Sequence, residues 1–403
     1  MRLIKGKVVL PEIAQQERSA LPSGRGLFGS LALSGLIAAI SFGIASSATA
    51  GDHAHRTARD IVADKAVSEY LRNSCHVGIS IAVVDADHTY FYNYGSTSRD
   101  KVERPTPLTI YELASVTKTF TASLAARAVV DGRMTLDGDF RSDLPGDYRN
   151  LAWNGQPITL RTLLTHYSGM PRDIPDSDAL FADKESPDFN ARLFALNQGF
   201  GRKQFLAALH DIHLRSAPGD KQAYSNAGYL VIGLGLEHVL GEPMDALMRQ
   251  YIFQPLGMTS TGFTLKGDEL ARIVNGYDRY GRVTPRPPEN AGAAWGLYAS
   301  TADMAKYVRW QLDESNPVVR LSHQALTGSG SDGEAMAWNL GGDQRQPLIW
   351  HGGGSLGMSS QVVLYPKQHE GYVLLANDAC EGTEGALKNL AETMHAAEVK
   401  SDP

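Results

Sequence analysis

The chain is short of cysteine and has no surplus of basic charge, and each shortage removes a class of function. Two cysteines in 403 residues, Cys75 and Cys380, make neither a disulfide scaffold nor a CxxC zinc or redox motif. One bridge between them remains open. Lys and Arg number 38 against 44 Asp and Glu, a formal net charge of -6. That balance argues against a nucleic-acid binder, because phosphate recognition needs a clustered basic face. No HExxH motif occurs, and His53-Ala54-His55 has too little around it to hold an ion, so neither metal nor other cofactor is expected. What is present can bury a large core: 43% of residues are hydrophobic, with 40 Gly and 19 Pro, a composition neither disordered nor collagen-like. The length admits one large domain or two.

Charge is unevenly placed. Residues 26–51 form 26 consecutive uncharged positions, preceded by Arg2, Lys5, Lys7, Arg18 and Arg25 against Glu12 and Glu17. A basic stretch, an apolar run and the small residues Ala48-Thr49-Ala50 have the form of a secretory signal cleaved after Ala50. The other reading is an uncleaved anchor through residues 27–50, since a run this long can span a bilayer core of about 30 Å. Residues 1–50 are thus expected to be an address and 51–400 the working domain, exported to the periplasm. Removing the leader's net +3 from -6 leaves about -9 for the mature chain.

Apolar spacing predicts a helix over Ala58 to Leu71, then a hairpin of Val77–Val84 and Thr89–Tyr94 around the turn residues Asp85 to His88. From about 115 to 255 the pattern is helical, with runs at Ser115–Val130, Leu160–His166, Lys203–His213, Asn226–Leu240 and Met244–Phe253. Strand-like runs return at Ala335–Asn339, Leu348–His351, Met358–Tyr365 and Gly371–Asn377, before a helix from Thr383 to Glu398. Residues 171–190, rich in Pro and Asp, read as an exposed loop. Strands at both ends of a helical block indicate an α/β or α+β fold in which sequence-distant strands pair.

Three serines have a nucleophile's context. A serine three residues before a lysine on a helix shares a face with it, so the amine can assist deprotonation of the hydroxyl. Ser98-Arg99-Asp100-Lys101 lies in a polar stretch ahead of Pro105 and Pro107, where no helix holds the pair together. Ser115-Val116-Thr117-Lys118 opens an apolar-faced helix, with Val116, Phe120 and Leu124 at i, i+4 and i+8. A helix start also offers a free backbone N–H and the positive end of the macrodipole. Gly353-Gly354-Ser355-Leu356-Gly357 matches the G-x-S-x-G elbow, with Asp378 and His395 following in acid–base order, but that elbow needs a helix where Met358–Tyr365 reads as a strand.

Ser115-Val116-Thr117-Lys118, then Tyr224-Ser225-Asn226, then His351-Gly352-Gly353-Gly354 fall in a telling order. In this order the chain resembles the serine β-lactamase and penicillin-binding protein family, its class C branch most closely. Supporting stretches are Tyr111-Glu112-Leu113-Ala114, Leu163 to Pro171, Pro255-Leu256-Gly257-Met258 and Gly296 to Met304. The resemblance covers most of residues 60–395. It implies an antiparallel sheet from both chain ends, flanked by helices, with an all-helical block between. Ser115 would form an acyl-enzyme, with Lys118 beside its hydroxyl and Tyr224 taking or relaying its proton. A phenol of reference pKa near 10 is a poor base, but the Lys118 cation favours the phenolate. Asn226 would hold the lysine or a substrate amide, and the N–H of Gly354 would join that of Ser115 as oxyanion donors. In the family's sheet the first strand lies antiparallel beside the last, which places Cys75 near Cys380 and implies that they can pair. His166 is expected to be structural, under the Ser168-Gly169 turn. Trp295 and Tyr298 would either line the pocket or pack beneath it.

The chain departs from the family where His351-Gly352-Gly353 replaces Lys-Thr-Gly. A histidine is mostly neutral at pH 7, so a fixed cation for a substrate carboxylate is missing, and the lost threonine removes a hydroxyl donor. The expected activity is therefore that of a penicillin-recognising D-alanyl-D-alanine carboxypeptidase or endopeptidase acting on D-amino-acid peptides, with peptidoglycan a possible source. An esterase or weak class C β-lactamase acting on esters or β-lactams is the alternative, and a penicillin-binding sensor that acylates once is the alternative of another class. The oligomeric state is left open.

Overall fold

The computed structural model describes residues 57–288, 291–328 and 333–399. The leader, its anchor alternative and His53-Ala54-His55 lie outside the described residues. Among the described residues the main sheet has six strands, in the order Thr89–Gly95, Gly78–Val84, Glu370–Ala376, Ser359–Tyr365, Pro347–Gly354 and Asn339–Gly342, all antiparallel. Strands from both chain ends therefore meet at its centre, as the resemblance implied.

The sheet's central strands are buried along their full length, which explains why they read as continuous apolar runs rather than as alternating ones. Successive side chains still point to opposite faces. Ile79, Ile81 and Val83 pack with Ala63 and Val67 of the helix Ala58–Tyr70 and with Leu387 and Met394 of the helix Thr383–Val399. Ala82 and Val84 face the other way, into the larger core with Phe120, Tyr229 and Met304. That core belongs to the helical block, built around Thr117–Val130, Asn226–Leu240 and Thr301–Gln311.

Four expectations need correction. The Ala335–Asn339 run is not a strand: Ala337 has φ 64° and Ala335 N–H bonds the Trp338 carbonyl at 2.8 Å, a tight turn that delays the strand to Asn339–Gly342. The Ser115 helix begins as a single 3-10 turn, Ala114–Val116. The Met244–Phe253 run is an α-helical turn that widens into a π-helical one at Arg249–Phe253. Residues 171–190 are an exposed loop only in part. Ala182–Glu185, Pro187 and Asp188 are exposed turns, but Ile174 and Ser177 are buried, Asp178–Phe181 is helical, and Arg172, Asp173, Ile174 and Phe181 line the main cleft.

Cys75 and Cys380 form a disulfide with their Cα atoms 6.1 Å apart, within the range such a bridge requires. It ties the start of the Gly78–Val84 strand to the segment that leads into the C-terminal helix.

Candidate active site

The site grows from a sharp turn. A short strand, Ile110–Glu112, pairs with Tyr298–Ser300, and the chain then reverses into the 3-10 turn that carries Ser115. Ala114, at φ 46°, holds a left-handed backbone that costs a non-glycine residue about 1–3 kcal/mol. The turn is pinned on two sides: Leu113 N–H donates to the Leu297 carbonyl at 2.8 Å, and Ser360 Oγ donates to the Leu113 carbonyl at 2.6 Å. Lys118, one helical turn on, is fully buried.

Opposite stands the start of the helix Asn226–Leu240. The Ser225 hydroxyl caps it by accepting from Gly228 N–H at 2.8 Å, and this cap fixes the neighbours of Ser225 in space. Tyr224 hydroxyl lies 2.6 Å from Ser115 Oγ. Lys118 Nζ faces three oxygens: Asn226 Oδ1 at 2.7 Å, the Ala294 carbonyl at 2.8 Å and Ser115 Oγ at 3.2 Å. Asn226 is oriented in turn, its Nδ2 donating to Asp173 Oδ1 at 2.8 Å, while Ser177 Oγ donates to the other oxygen of Asp173. Asp173 gave no signal in the sequence, because it sits in the segment read as a loop.

Burial shifts both titratable groups. It drives the Lys118 amine well below its usual range, against the pull of Asp173, and it raises the Tyr224 phenol above its usual value, more than Arg172 and the Ser115 hydrogen bond lower it. Burial therefore works against the expected phenolate, and it disfavours the charged form of both groups. Lys118 Nζ thus reaches Ser115 Oγ while held by Asn226 and Ala294, and its lowered pKa eases loss of a proton from that nitrogen.

His351 lies on the strand Pro347–Gly354, its Nδ1 bonded to the Ala337 carbonyl. Burial and the nearby Lys118 push its pKa down to about 4, against the Ala337 and Ser115 carbonyls. It is neutral at pH 7 and supplies no cation. His166 is structural as expected, and it also packs on the catalytic candidate. Its Nδ1 accepts from Ser225 N–H at 3.1 Å, and its ring lies 4.4 Å from that of Tyr224.

The glycines complete the wall. A Cβ on Gly353 would sit 2.6 Å from the Leu113 carbonyl and 2.8 Å from Ser115 N, so only glycine lets this strand approach the serine. The bond from Ser355 N–H to the Met358 carbonyl, 2.8 Å, sets the phase of the ladder. Gly353 therefore bonds its neighbour strand, and the N–H of Gly354 points to the opposite edge. The strand Asn339–Gly342 covers that edge only as far as Trp350.

The other serines are not so equipped. Ser98 pairs in a β-bridge with Lys101, not on a helix. Ser355 lies in a hairpin, its Oγ accepting from Met358 N–H at 3.0 Å. Asp378 bonds His76 at 2.9 Å and Tyr70 at 3.3 Å, and His395 bonds Glu370. No Ser355–His395–Asp378 relay is assembled. His76, Asp378 and Cys380 gather their ligand atoms within 4.8 Å, but the Cys380 sulfur is committed to its bridge.

Ser115, Tyr224, Asn226 and Gly354 open into a cleft of about 500 Å³, whose walls include Trp295, Arg172, Phe181 and Glu384. Tyr298 packs beneath it with Ile110 and Leu265. Arg172, Phe181 and Glu384 had no motif to announce them.

The β-lactamase family model matches residues 63–395. Protein flp of Staphylococcus aureus (strain N315) is 28% identical over 326 residues, 78% of this chain and 62% of that protein, so the chain spans under two thirds of that relative. The D-alanyl-D-alanine-carboxypeptidase/endopeptidase AmpH of Escherichia coli (strain K12) is 27% identical over 341 residues, 78% of this chain and 82% of that one. Among solved structures, a β-lactamase/D-alanine carboxypeptidase from Pseudomonas syringae superposes with TM-score 0.72 at 20% identity, covering 86% of this chain and 100% of that one. A class C β-lactamase from Rhodobacter sphaeroides does so with TM-score 0.69 at 21% identity, covering 84% and 99%. The family match runs through the sheet, the helical block and every element of the cleft, and this chain belongs to the β-lactamase family of serine hydrolases.

Proposed function

We propose that this protein is an exported serine hydrolase that cleaves D-amino-acid peptides of the cell-wall type through an acyl-enzyme on Ser115. The observation that carries the reading is that Ser115 Oγ is met at once by Lys118 Nζ at 3.2 Å and Tyr224 hydroxyl at 2.6 Å. In this mechanism the neutral Lys118 takes the serine proton as Oγ attacks the carbonyl. The oxyanion is received by the N–H groups of Ser115 and Gly354, and each such donor contributes about a hundredfold or more to turnover. Tyr224, kept protonated by burial, gives its proton to the leaving nitrogen. The acyl-enzyme then holds a Lys118 ammonium and a Tyr224 phenolate side by side, the cation–phenolate pair absent from the resting site. Deacylation reverses both transfers: attacking water gives a proton to Tyr224, and Lys118 returns one to Ser115.

A neutral His351 in place of a cation also supports turnover of neutral esters as a second activity of the same site. The basic-then-apolar leader and the Cys75–Cys380 bridge support export to an oxidising compartment. The test is parallel incubation with muropeptides, penicillin and short acyl esters, following turnover and the adduct mass on Ser115. Steady turnover of the peptides, abolished in Ser115→Ala and retained in Ser355→Ala, is expected. A single burst with no turnover makes the protein a sensor and overturns the reading.

A further inference from the structure

Glu384 is a carboxylate placed where the cleft has no motif to explain it. It stands in the first turn of the helix Thr383–Val399 and is open to the cleft, where Lys118 is the cation that acts on it electrostatically. Its oxygens lie over the glycine strand: a Cβ on Gly354 would be 2.6 Å from Oε1, and one on Gly352 would be 3.1 Å from Oε2. Those are the two glycines whose backbone faces the uncovered edge, where an acyl donor would lie against the strand. Glu384 also borders a second cavity of about 310 Å³ that adjoins the main cleft at Tyr224.

The charges around it do not cancel it. His351 beside it is neutral, and burial holds Lys118 down. The second cavity adds another carboxylate, Glu334, whose Oε2 is buried without a partner while Gln222 bonds its Oε1. The ammonium of that cavity, Lys388, pairs with Glu392 and lies over the Trp350 ring. His166 there is depressed by burial. The guanidinium of the main cleft, Arg172, comes from another segment, stacked at 3.8 Å on Phe181 and 3.8 Å from Asp173. Burial raises both carboxyls, Glu334 to about 7 and Glu384 above its usual value against the pull of Lys118, so the strand-side wall presents carboxyl groups where a substrate carboxylate requires a cation.

We propose that Glu384 is the residue by which this cleft selects charge, rejecting acyl donors that carry a free carboxylate beside the scissile bond and favouring those that carry an ammonium group there. The inference rests on the acyl-enzyme reading above and names its substrate class: internal or amine-bearing D-amino-acid peptides rather than those ending in a free acid. An acidic residue in a first helical turn also complements the helix dipole, but such a role would not sort substrates by charge.

The test uses one acyl group with three leaving portions: D-alanine as free acid, D-alanine amide, and an amide ending in a primary ammonium. An ester of the same acyl group is the reference. For the unaltered protein, kcat/KM should fall from ammonium to amide to acid, with about tenfold or more between the extremes, the size of a like-charge penalty discounted for solvent. Glu384→Gln should flatten the order and Glu384→Lys should reverse it, with each variant's values divided by its own ester rate so that a folding loss cancels. An order that favours the free acid in the unaltered protein, or one that both variants leave unchanged, overturns the proposal. Failure of the ester to form a Ser115 adduct overturns instead the hydrolase reading on which it rests.

Discussion

Gly353→Ala tests the architecture of the site most directly, because the methyl group it adds has nowhere to go. Its Cβ would lie 2.6 Å from the Leu113 carbonyl, 2.6 Å from Ser360 Oγ and 2.8 Å from Ser115 N, where ordinary contact begins at 3.4 Å. The shortfalls are 0.8 Å for each oxygen and 0.6 Å for the nitrogen, by subtraction. Two of these atoms are backbone, and the third, Ser360 Oγ, is tied to the Leu113 carbonyl at 2.6 Å. The nucleophile turn is held from behind by Leu297, so the displacement falls on the glycine strand and carries Gly354 away from Ser115. Misplacement approaching 1 Å costs about a hundredfold in rate, equivalent to about 2.7 kcal/mol of barrier. Overpacking should also cost about 1–3 kcal/mol of stability. Stopped-flow acylation by a neutral ester, with urea unfolding of the same preparation, separates the two losses. The comparison is Gly352→Ala, whose Cβ meets only the flexible ends of Gln361 at 2.7 Å and Glu384 at 3.1 Å, and whose acylation should fall less than about tenfold. A folded Gly353→Ala protein acylating at the unaltered rate, or an equal loss in both variants, would refute this account.

The remaining expectations concern charge and the bridge. Because burial lowers Lys118, the acid limb of kcat/KM should lie well below the ordinary lysine value of about 10.4. Lys118→Arg, which cannot lose its proton, should cut turnover by about a hundredfold or more across the whole pH range. His351 has a folded pKa of about 4 and an unfolded one of about 6.5, so the unfolded chain binds more protons between those values. Its contribution is therefore fully present above pH 6.5 and lost as pH falls towards 4, about 3 kcal/mol in all. Urea unfolding of His351→Gln at pH 4.5 and 7.5 should show a smaller pH difference than the unaltered protein, with a remainder from His166, which is shifted the same way. Removing the bridge, which links residues 305 apart, should cost about 5 kcal/mol, at the upper end of what a disulfide contributes. Cys75→Ser and Cys380→Ser should lower the Tm equally, and unequal losses would show that one cysteine acts otherwise.

Much of the fold was legible because its signals are local. The run Asn226–Leu240 has a serine cap before it and Gly241 in a left-handed conformation after it, and the helix ends where those residues say. The paired hairpin strands Gly78–Val84 and Thr89–Gly95 were likewise readable from composition and turn residues. Ala335–Asn339 failed because a positive φ at Ala337 overrides an apolar run. The segment 171–190 was legible only in part, exposed over Ala182–Glu185 but turned into the cleft at Ile174, because turn-forming residues report where a chain bends, not whether the bend faces solvent or a cleft.

The sequence by itself determined that Ser115 and Lys118 share a helical face, that Tyr224 and Asn226 stand at a helix start, and that a glycine run offers a bare strand. Each is a matter of spacing within a few residues. Only the tertiary structure decided which serine has partners, that burial works against charge on Lys118 and Tyr224, that Asp173 steadies Asn226, and that Glu384 faces the strand edge. Those depend on desolvation and on contacts between residues far apart in the chain, and neither exists until the chain is folded.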